Sequence, residues 1–157
     1  MDNSLNPPPP GCTLHAAPST PIGVLLDFVC VHFAVDSYGL MRFDGSQLYE
    51  YPNSDVGVSE WGSCNFMHSR GEVRSFLQSA ANYWLKEYHF DGLRVDAISR
   101  IIYWQGDERR GENKNAIDFI RVMNRGLKER HAGCIHRKMD TDKIKEHTDI
   151  ILVQLIN

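Results

Sequence analysis

The sequence lacks three features that mark common classes of protein. It has no apolar run of about 18 residues, so we expect no transmembrane helix. It has no excess of basic residues, because 17 Lys and Arg stand against 20 Asp and Glu and give a formal net charge of −3. A mildly acidic chain offers no electrostatic footprint for nucleic acid or for an anionic membrane. We therefore expect neither of these partners.

The sequence is also poor in paired cysteines. It contains no Cys-x-x-Cys pair, and its cysteines are widely scattered: Cys12, Cys30, Cys64 and Cys134. Cys64 lies four residues before His68, but the four ligands of a structural zinc site cannot be assembled around them. No basic segment followed by an apolar segment marks the N-terminus for secretion. We therefore expect a cytoplasmic protein with no disulfide scaffold, no metal site and no cofactor.

Proline is almost absent beyond the first part of the chain. Six of the seven prolines lie in residues 1–21, including the run 7–10. This composition predicts an extended or disordered proline-rich leader over residues 1–21. A polyproline ligand for a partner domain is the alternative interpretation.

The remaining chain shows an alternation of strand and helix patterns. Residues 22–29 are almost continuously apolar, which predicts a strand buried on both faces. A capping-box pattern at 69–72 precedes a helix that runs to residue 88, and residues 90–97 predict a second buried strand. Residues 115–130 predict a second helix. With a length suited to about one domain, this order indicates an α/β fold with a parallel sheet.

Each predicted helix has one apolar face. In the first helix it comprises Val73, Phe76, Leu77, Ala80, Trp84 and Tyr88. In the second it comprises Ala116, Ile120, Met123 and Leu127. Residues 34–68, between the first strand and the first helix, show no sustained period, and a connection of this length indicates a functional loop.

Polar side chains lie where both predicted strands end. Asp27 ends the first strand, with His32 five residues later, and Arg94 and Asp96 lie two residues apart on one side of the second strand. Ligands of parallel α/β folds bind beyond the carboxyl ends of the strands. A guanidinium beside Asp96 would hold it ionised, as a nucleophilic carboxylate requires. A purely structural ion pair between Asp27 and Arg94 is the alternative.

These residues also carry a resemblance to a known superfamily. Residues 90–97, Phe-Asp-Gly-Leu-Arg-Val-Asp-Ala, resemble the nucleophile motif of the α-amylase superfamily of glycoside hydrolases and transglycosidases. Residues 27–33 resemble the earlier motif at the end of barrel strand three, with Cys30 where a proline is usual. Further segments are similar to the 1,4-α-glucan branching enzymes of bacterial glycogen synthesis: 36–40, 43–45, 48–50, 61–62, 65–88 and 98–104.

The resemblance implies a fold and a set of roles. It implies that residues 22–134 are part of a catalytic (β/α)₈ TIM-type barrel, from about strand three to helix four. Asp96 would be the nucleophile, Arg94 would orient it and keep it ionised, and Asp27 would pair with Arg94. His32 would bind sugar hydroxyls, and Asp27 would also belong to the substrate-binding set. Further residues would line the groove of an α-1,4-glucan such as glycogen or amylose, with packing within the loop as the equal alternative for each: Asp36, Tyr38 and Trp61. The implied reaction cuts an α-1,4 bond and forms an α-1,6 branch by a retaining mechanism.

The sequence departs from this pattern near its C-terminal end. Met139 stands about where the resemblance places the general acid, a Glu, so no general acid is found, and residues 135–157 form a divergent tail. The third carboxylate of the family, from strand seven, would fall beyond the end of the sequence. A complete barrel needs about 250 residues. We therefore expect an inactive fragment whose open barrel edges favour self-association.

Two alternatives to a branching enzyme remain at this point. An α-glucan hydrolase of the amylase or pullulanase type would share the same motifs. A non-catalytic remnant that binds glucan or a partner chain would account for Met139.

Overall fold

The computed structural model describes residues 24–131, apart from the side chain of Ser54, and these residues form a mixed α/β unit. Its strands and helices, in chain order, are β1 (Leu25–Phe28), β2 (His32–Phe33), α1 (Ser54–Gly57), β3 (Cys64–Asn65), α2 (Gly71–Glu87), β4 (Gly92–Val95), α3 (Ile98–Ile102) and α4 (Lys114–Arg130), with 3₁₀ turns at Trp104–Gly106 and Glu108–Arg110. The predicted α/β class is confirmed. The predicted leader, residues 1–21, and the predicted tail, residues 135–157, lie outside the described residues. Within residues 24–131, no helix is long and apolar enough to cross a membrane.

The centre of the unit is a parallel pair of strands, β1 and β4. Their register aligns Leu25 with Gly92 and Asp27 with Arg94. The parallel pairing agrees with the sequence prediction. Helix α2 lies between the two strands in the chain and brings the chain back to the end at which β1 began, so that both strands run in the same direction. Leu93 of β4 is fully buried and contacts the core.

The prediction that β1 is buried on both faces is wrong. Asp27 is exposed, and Leu25 and Leu26 are only partly buried. Among the described residues β1 pairs with β4 alone, so one edge and part of one face remain open to solvent. Only Phe28 of this strand is buried.

Helix α2 presents to the core a face that overlaps only in part with the predicted one, since Val73 and Leu77 are buried as predicted. Its buried residues are Val73, Leu77, Ala81 and Leu85. Their spacing of four residues defines one row on a helix. Phe76 and Tyr88, which the sequence placed on the apolar face, are 39% and 49% exposed. The core-facing row is therefore shifted around the helix from the predicted face, and these two aromatic residues lie beside it.

The predicted capping box at the start of α2 does not form. The helix begins at Gly71, and its N-cap is Arg70, in an extended conformation and without a side-chain cap. Ser69 is therefore one residue too early to cap the helix. The Arg70 guanidinium donates instead to the backbone carbonyl of Leu48, 3.1 Å away, and anchors the long loop.

Helix α4 agrees closely with its prediction. Its N-cap is Asn113, whose side-chain oxygen accepts a hydrogen bond from the backbone N–H of Ala116. The predicted apolar face is confirmed, since all four of its residues are buried: Ala116, Ile120, Met123 and Leu127. Ile117 and Phe119 widen that face, and the helix packs on α2 and α3.

The long loop between β1 and α2 folds back on itself. Its short strands β2 and β3 pair antiparallel, with His32 opposite Asn65. Isolated bridges join Glu50 to Phe66 and Val58 to Cys64. The loop is therefore an ordered layer beyond the carboxyl end of β1, which is where the sequence placed a functional segment.

The burial of Phe119 allows a direct test of the core. Phe119 is fully buried and its ring lies against His68, with centroids 5.2 Å apart. Phe119→Ala should lower the free energy of unfolding by about 3–5 kcal/mol, because the deletion leaves a cavity in close-packed surroundings. The matched control is Val122→Ala on the exposed side of α4, which should cost less than about 1 kcal/mol. Urea unfolding followed by circular dichroism measures both, and equal losses would contradict the assignment of the core.

Candidate active site

Three charged side chains meet at the carboxyl ends of β1 and β4. The Arg94 guanidinium lies 3.0 Å from the Asp27 carboxylate and 3.2 Å from the Asp96 carboxylate. The strand register places Asp27 beside Arg94, and the two-residue repeat of a strand places Arg94 and Asp96 on one side. The sequence-based expectation that these residues converge is confirmed.

The electrostatics of this group follow from the geometry. The hydrogen bond to Asp27 and its negative charge, with the charge of Asp96, raise the pKa of Arg94 above its ordinary value. Arg94 is therefore a permanent cation with two carboxylate partners. All three side chains are about half exposed, so a ligand reaches the carboxylates from solvent.

The backbone turns sharply immediately after Asp96. Ala97 has φ +52° and ψ +44°, in the left-handed region that residues with a Cβ rarely adopt, and it is the N-cap of α3. This turn ends β4 at the carboxylate and directs the chain into α3. Strained residues of this kind persist where the surrounding structure holds them, and they cluster at functional sites.

His32 of β2 is held near this group. Its Nδ1 lies 2.8 Å from the Ser63 hydroxyl, and its ring centroid lies 5.2 Å from that of Trp61. Partial burial lowers the pKa of His32, the positive charge of Arg100 lowers it further, and the negative charge of Asp96 opposes both effects. His32 is therefore biased toward its neutral form, which both donates and accepts hydrogen bonds.

The other predicted substrate-binding residues are arranged differently. Trp61 lies beside His32 and is 58% exposed. Tyr38 is 88% exposed and Asp36 is half-buried. Their role as substrate-binding residues stays a prediction. Met139, at the expected position of the general acid, lies outside the described residues.

Two residues that contribute to the site geometry were missed at the level of the sequence. Ser63 fixes the His32 ring from across the β2–β3 pair, and its spacing of 31 residues gives no signal. The Arg100 guanidinium lies 4.4 Å from the centroid of the Trp61 ring. Arg100 lies four residues after Asp96, and a cation so close in the sequence to a candidate nucleophile was a signal that could have been used.

A small cavity of about 20 Å³ has a mixed polar and apolar lining. It is lined in part by the side chains of Asn65, His68 and Arg100. His68 is 3% exposed and its Nε2 donates to the backbone carbonyl of Cys30, 2.8 Å away. Because Cys30 lies between Asp27 and His32, this bond fixes the segment that joins the two.

Burial of His68 predicts an acid-sensitive fold. Burial lowers the pKa of His68 to about 4, against 6.5 for an exposed imidazole. His68 therefore binds a proton near pH 6.5 in the unfolded chain, but only near pH 4 in the folded chain. The free energy of unfolding should fall by roughly 3 kcal/mol across that window from this group, and no further below it.

The control for this prediction is His68→Gln, which cannot titrate. Urea unfolding at about pH 7 and at about pH 4 should show a loss of stability that is smaller in His68→Gln by about that amount. Equal losses in the two proteins would assign the acid sensitivity to other groups.

The described part of the chain contains no candidate metal site. Among residues 24–131 there is no group of three or more His, Cys, Asp or Glu side chains that could hold a metal ion. Cys30 and Cys64 are both free and buried, and burial raises the pKa of the Cys30 thiol to about 12. A thiol of that kind is a poor nucleophile at neutral pH.

Comparison with known proteins gives one consistent result. No protein-family profile matches the chain. The chain is 48% identical over 110 residues to the 1,4-alpha-glucan branching enzyme GlgB of Fusobacterium nucleatum subsp. nucleatum, and this match covers 70% of the chain and 18% of that enzyme. It is 46% identical over 109 residues to the GlgB of Bacillus subtilis, and this match covers 69% of the chain and 17% of that enzyme. Over this segment, the chain is similar to part of the 1,4-alpha-glucan branching enzymes.

A third relative extends the match along the chain. The branching enzyme GlgB of Nitrosococcus oceani is 43% identical over 135 residues, which is 79% of this chain and 17% of that enzyme. The chain thus spans less than a fifth of the length of the curated branching enzymes it matches. The resemblance identified from the two motifs is confirmed.

Proposed function

We propose that residues 24–131 are a part of a (β/α)₈ barrel, with β1 and β4 as its third and fourth strands. The support is the parallel pairing of these strands with a helix between them, and the position of Asp27 and Asp96 where they end. Active sites of such barrels lie at the carboxyl ends of the strands. The similarity to branching enzymes adds to this, since β1 and β4 carry the two motifs in the order in which the resemblance places them on strands three and four.

We propose that this segment carries the nucleophile side of a glucan-branching site. The observation that carries the proposal is the Arg94 guanidinium held between Asp27 and Asp96. Nη2 of the Arg94 guanidinium donates to the Asp96 carboxylate at 3.2 Å, and Nη1 lies 3.0 Å from the Asp27 carboxylate, so one cation orients both groups. A carboxylate oriented in this way can attack the anomeric carbon of an α-1,4-glucan and displace the rest of the chain. The leaving oxygen takes up a proton from a carboxylic acid supplied from outside residues 24–131 and departs as an alcohol.

The second half of the proposed reaction transfers the bound glucosyl chain. The 6-hydroxyl of an acceptor glucan attacks the anomeric carbon of the ester on Asp96 and gives its proton to the carboxylate that the acid of the first step has become. The ester bond breaks, the Asp96 carboxylate is regenerated, and an α-1,6 branch forms. Two displacements at one carbon retain the anomeric configuration. In this proposal His32 hydrogen-bonds the sugar hydroxyls, and Asp36, Tyr38 and Trp61 line the groove for the glucan. The enzyme would act on α-1,4-glucans such as glycogen or amylose and would work in the cytoplasm, with no cofactor.

The test is to trap the covalent intermediate. A full-length branching enzyme carrying residues 24–131 in place of its own matching segment would be treated with a fluorinated α-glucosyl fluoride, whose fluoride leaves without protonation. Mass spectrometry of peptides should find one glucosyl ester, on Asp96. Treatment with amylose should give α-1,6 linkages and few new reducing ends. Label on another carboxylate would remove Asp96 from this role, and release of reducing ends alone would indicate the hydrolase.

A further inference from the structure

The indole of Trp61 is an exposed aromatic surface in contact with a buried cation. Trp61 is 58% exposed, while the side chain of Arg100 is only 8% exposed. The Arg100 guanidinium carbon lies 4.4 Å from the centroid of the indole. A desolvated cation at this distance is attracted to the ring and favours one orientation of the indole.

Arg100 is itself fixed by two further contacts. Its guanidinium lies 2.5 Å from the Glu60 carboxylate and donates to the Gln105 side-chain oxygen at 3.1 Å. The Gln105 amide donates in turn to the backbone carbonyls of Asp55 and Val58, at 2.8 and 2.7 Å. The loop that carries Trp61 is therefore attached to the segment that follows Asp96.

A second set of contacts fixes the same loop to His32. The hydroxyls of Ser59 and Ser63 lie 2.5 Å apart, and the Ser59 hydroxyl accepts from the backbone N–H of Trp61 at 3.2 Å. Ser63 contacts Nδ1 of His32 at 2.8 Å. The backbone of Trp61 is thus linked through Ser59 and Ser63 to the His32 ring, and more than half of the Trp61 surface is open to solvent.

We propose that Arg100 is a positioning residue that holds the Trp61 indole as a stacking surface for a glucose ring of an α-1,4-glucan, next to His32. An oriented, exposed indole fits a flat ligand ring that has an apolar face and a polar edge, and a pyranose has both. His32 lies where it can meet the hydroxyls of such a ring. This proposal rests on the proposed function, because that function supplies the glucan.

The test measures binding on the 157-residue chain and needs no turnover. The chain contains three tryptophans, so 5-fluorotryptophan labelling gives three ¹⁹F signals, and Trp61→Phe identifies the signal of Trp61. Maltoheptaose should shift that signal in the unaltered chain. Arg100→Met should shift the Trp61 signal in the free protein and weaken the apparent affinity for maltoheptaose roughly five- to tenfold. Arg100→Lys should recover part of that loss, because the charge is restored without the planar fork.

Two further variants make the result decisive. Arg109→Met is the matched control, since Arg109 is 89% exposed and pairs with Asp107, and it should leave the Trp61 response unchanged. If Arg100→Met also moves the signals of Trp84 and Trp104, Glu60→Gln decides the question, because it alters an exposed partner of Arg100 and should weaken binding in the same direction. Three results would each overturn the proposal. The Trp61 signal has the same position in Arg100→Met as in the unaltered chain, the Trp61 signal does not shift when maltoheptaose is added, or the affinity for maltoheptaose is the same in Arg109→Met, Arg100→Met and Glu60→Gln. Binding at Trp61 without an ester on Asp96 would overturn the proposed function and leave this inference standing.

Discussion

Asp96→Asn should abolish branching activity in a full-length branching enzyme that carries residues 24–131 of this chain. In the proposed function the Asp96 carboxylate attacks the anomeric carbon. The amide removes its charged oxygen, so the glucosyl ester would not form and its whole contribution to the rate would be lost. Removing a nucleophile typically costs about 10⁴- to 10⁶-fold in turnover. The measurement is the initial rate of α-1,6 bond formation from amylose, followed by debranching of the product.

The matched control for this variant is Asp118→Asn. Asp118 is also an exposed aspartate paired with an arginine, Arg74, but it lies on α4 away from the ends of β1 and β4. Its exposed ion pair contributes about 1 kcal/mol at most, so activity should stay within about twofold of the parent enzyme. Activity above a few per cent in Asp96→Asn would exclude Asp96 as the nucleophile.

The arrangement around Asp96 was predictable from the sequence for a physical reason. The side-chain repeat of a strand is two residues, so Arg94 and Asp96 had to share a side, and the parallel pairing then brought Asp27 beside Arg94. Each step depends on backbone geometry that a short sequence pattern encodes. Helix α4 was predictable on the same ground, because its apolar face is regular from Ala116 to Leu127.

The parts that the sequence did not predict depend on contacts between distant residues. The buried row of α2 was misjudged because Phe76 and Tyr88 are apolar and yet lie outside the core. The predicted capping box does not form, because the N-cap of α2 is Arg70 and not Ser69. The Arg70 guanidinium donates to the carbonyl of Leu48, 22 residues earlier. The contact between Ser63 and His32 spans 31 residues. No local pattern records such pairings.

The 157-residue chain by itself should form no α-1,6 branches from amylose. A retaining mechanism needs two carboxyl groups about 5–5.5 Å apart, one that attacks and one that protonates the leaving oxygen. Asp96 is suited to the first role. Asp27 is unsuited to the second, because its carboxylate lies 3.0 Å from the Arg94 guanidinium, which has only donors, and it therefore acts as a hydrogen-bond acceptor there.

The sequence offers no better donor at the position where the family pattern places the acid. Met139 stands about where that pattern places the acid, and its side chain has no proton to give. General acid assistance is worth about 10²–10⁴-fold, and the geometry of a complete barrel adds to that. The test incubates the purified chain with amylose and analyses the product for α-1,6 linkages by NMR, with the full-length enzyme carrying residues 24–131 as the positive control. Branches that appear with this chain and vanish in its Asp96→Asn variant would contradict the prediction, and would mean that Asp140 or a second chain supplies the proton.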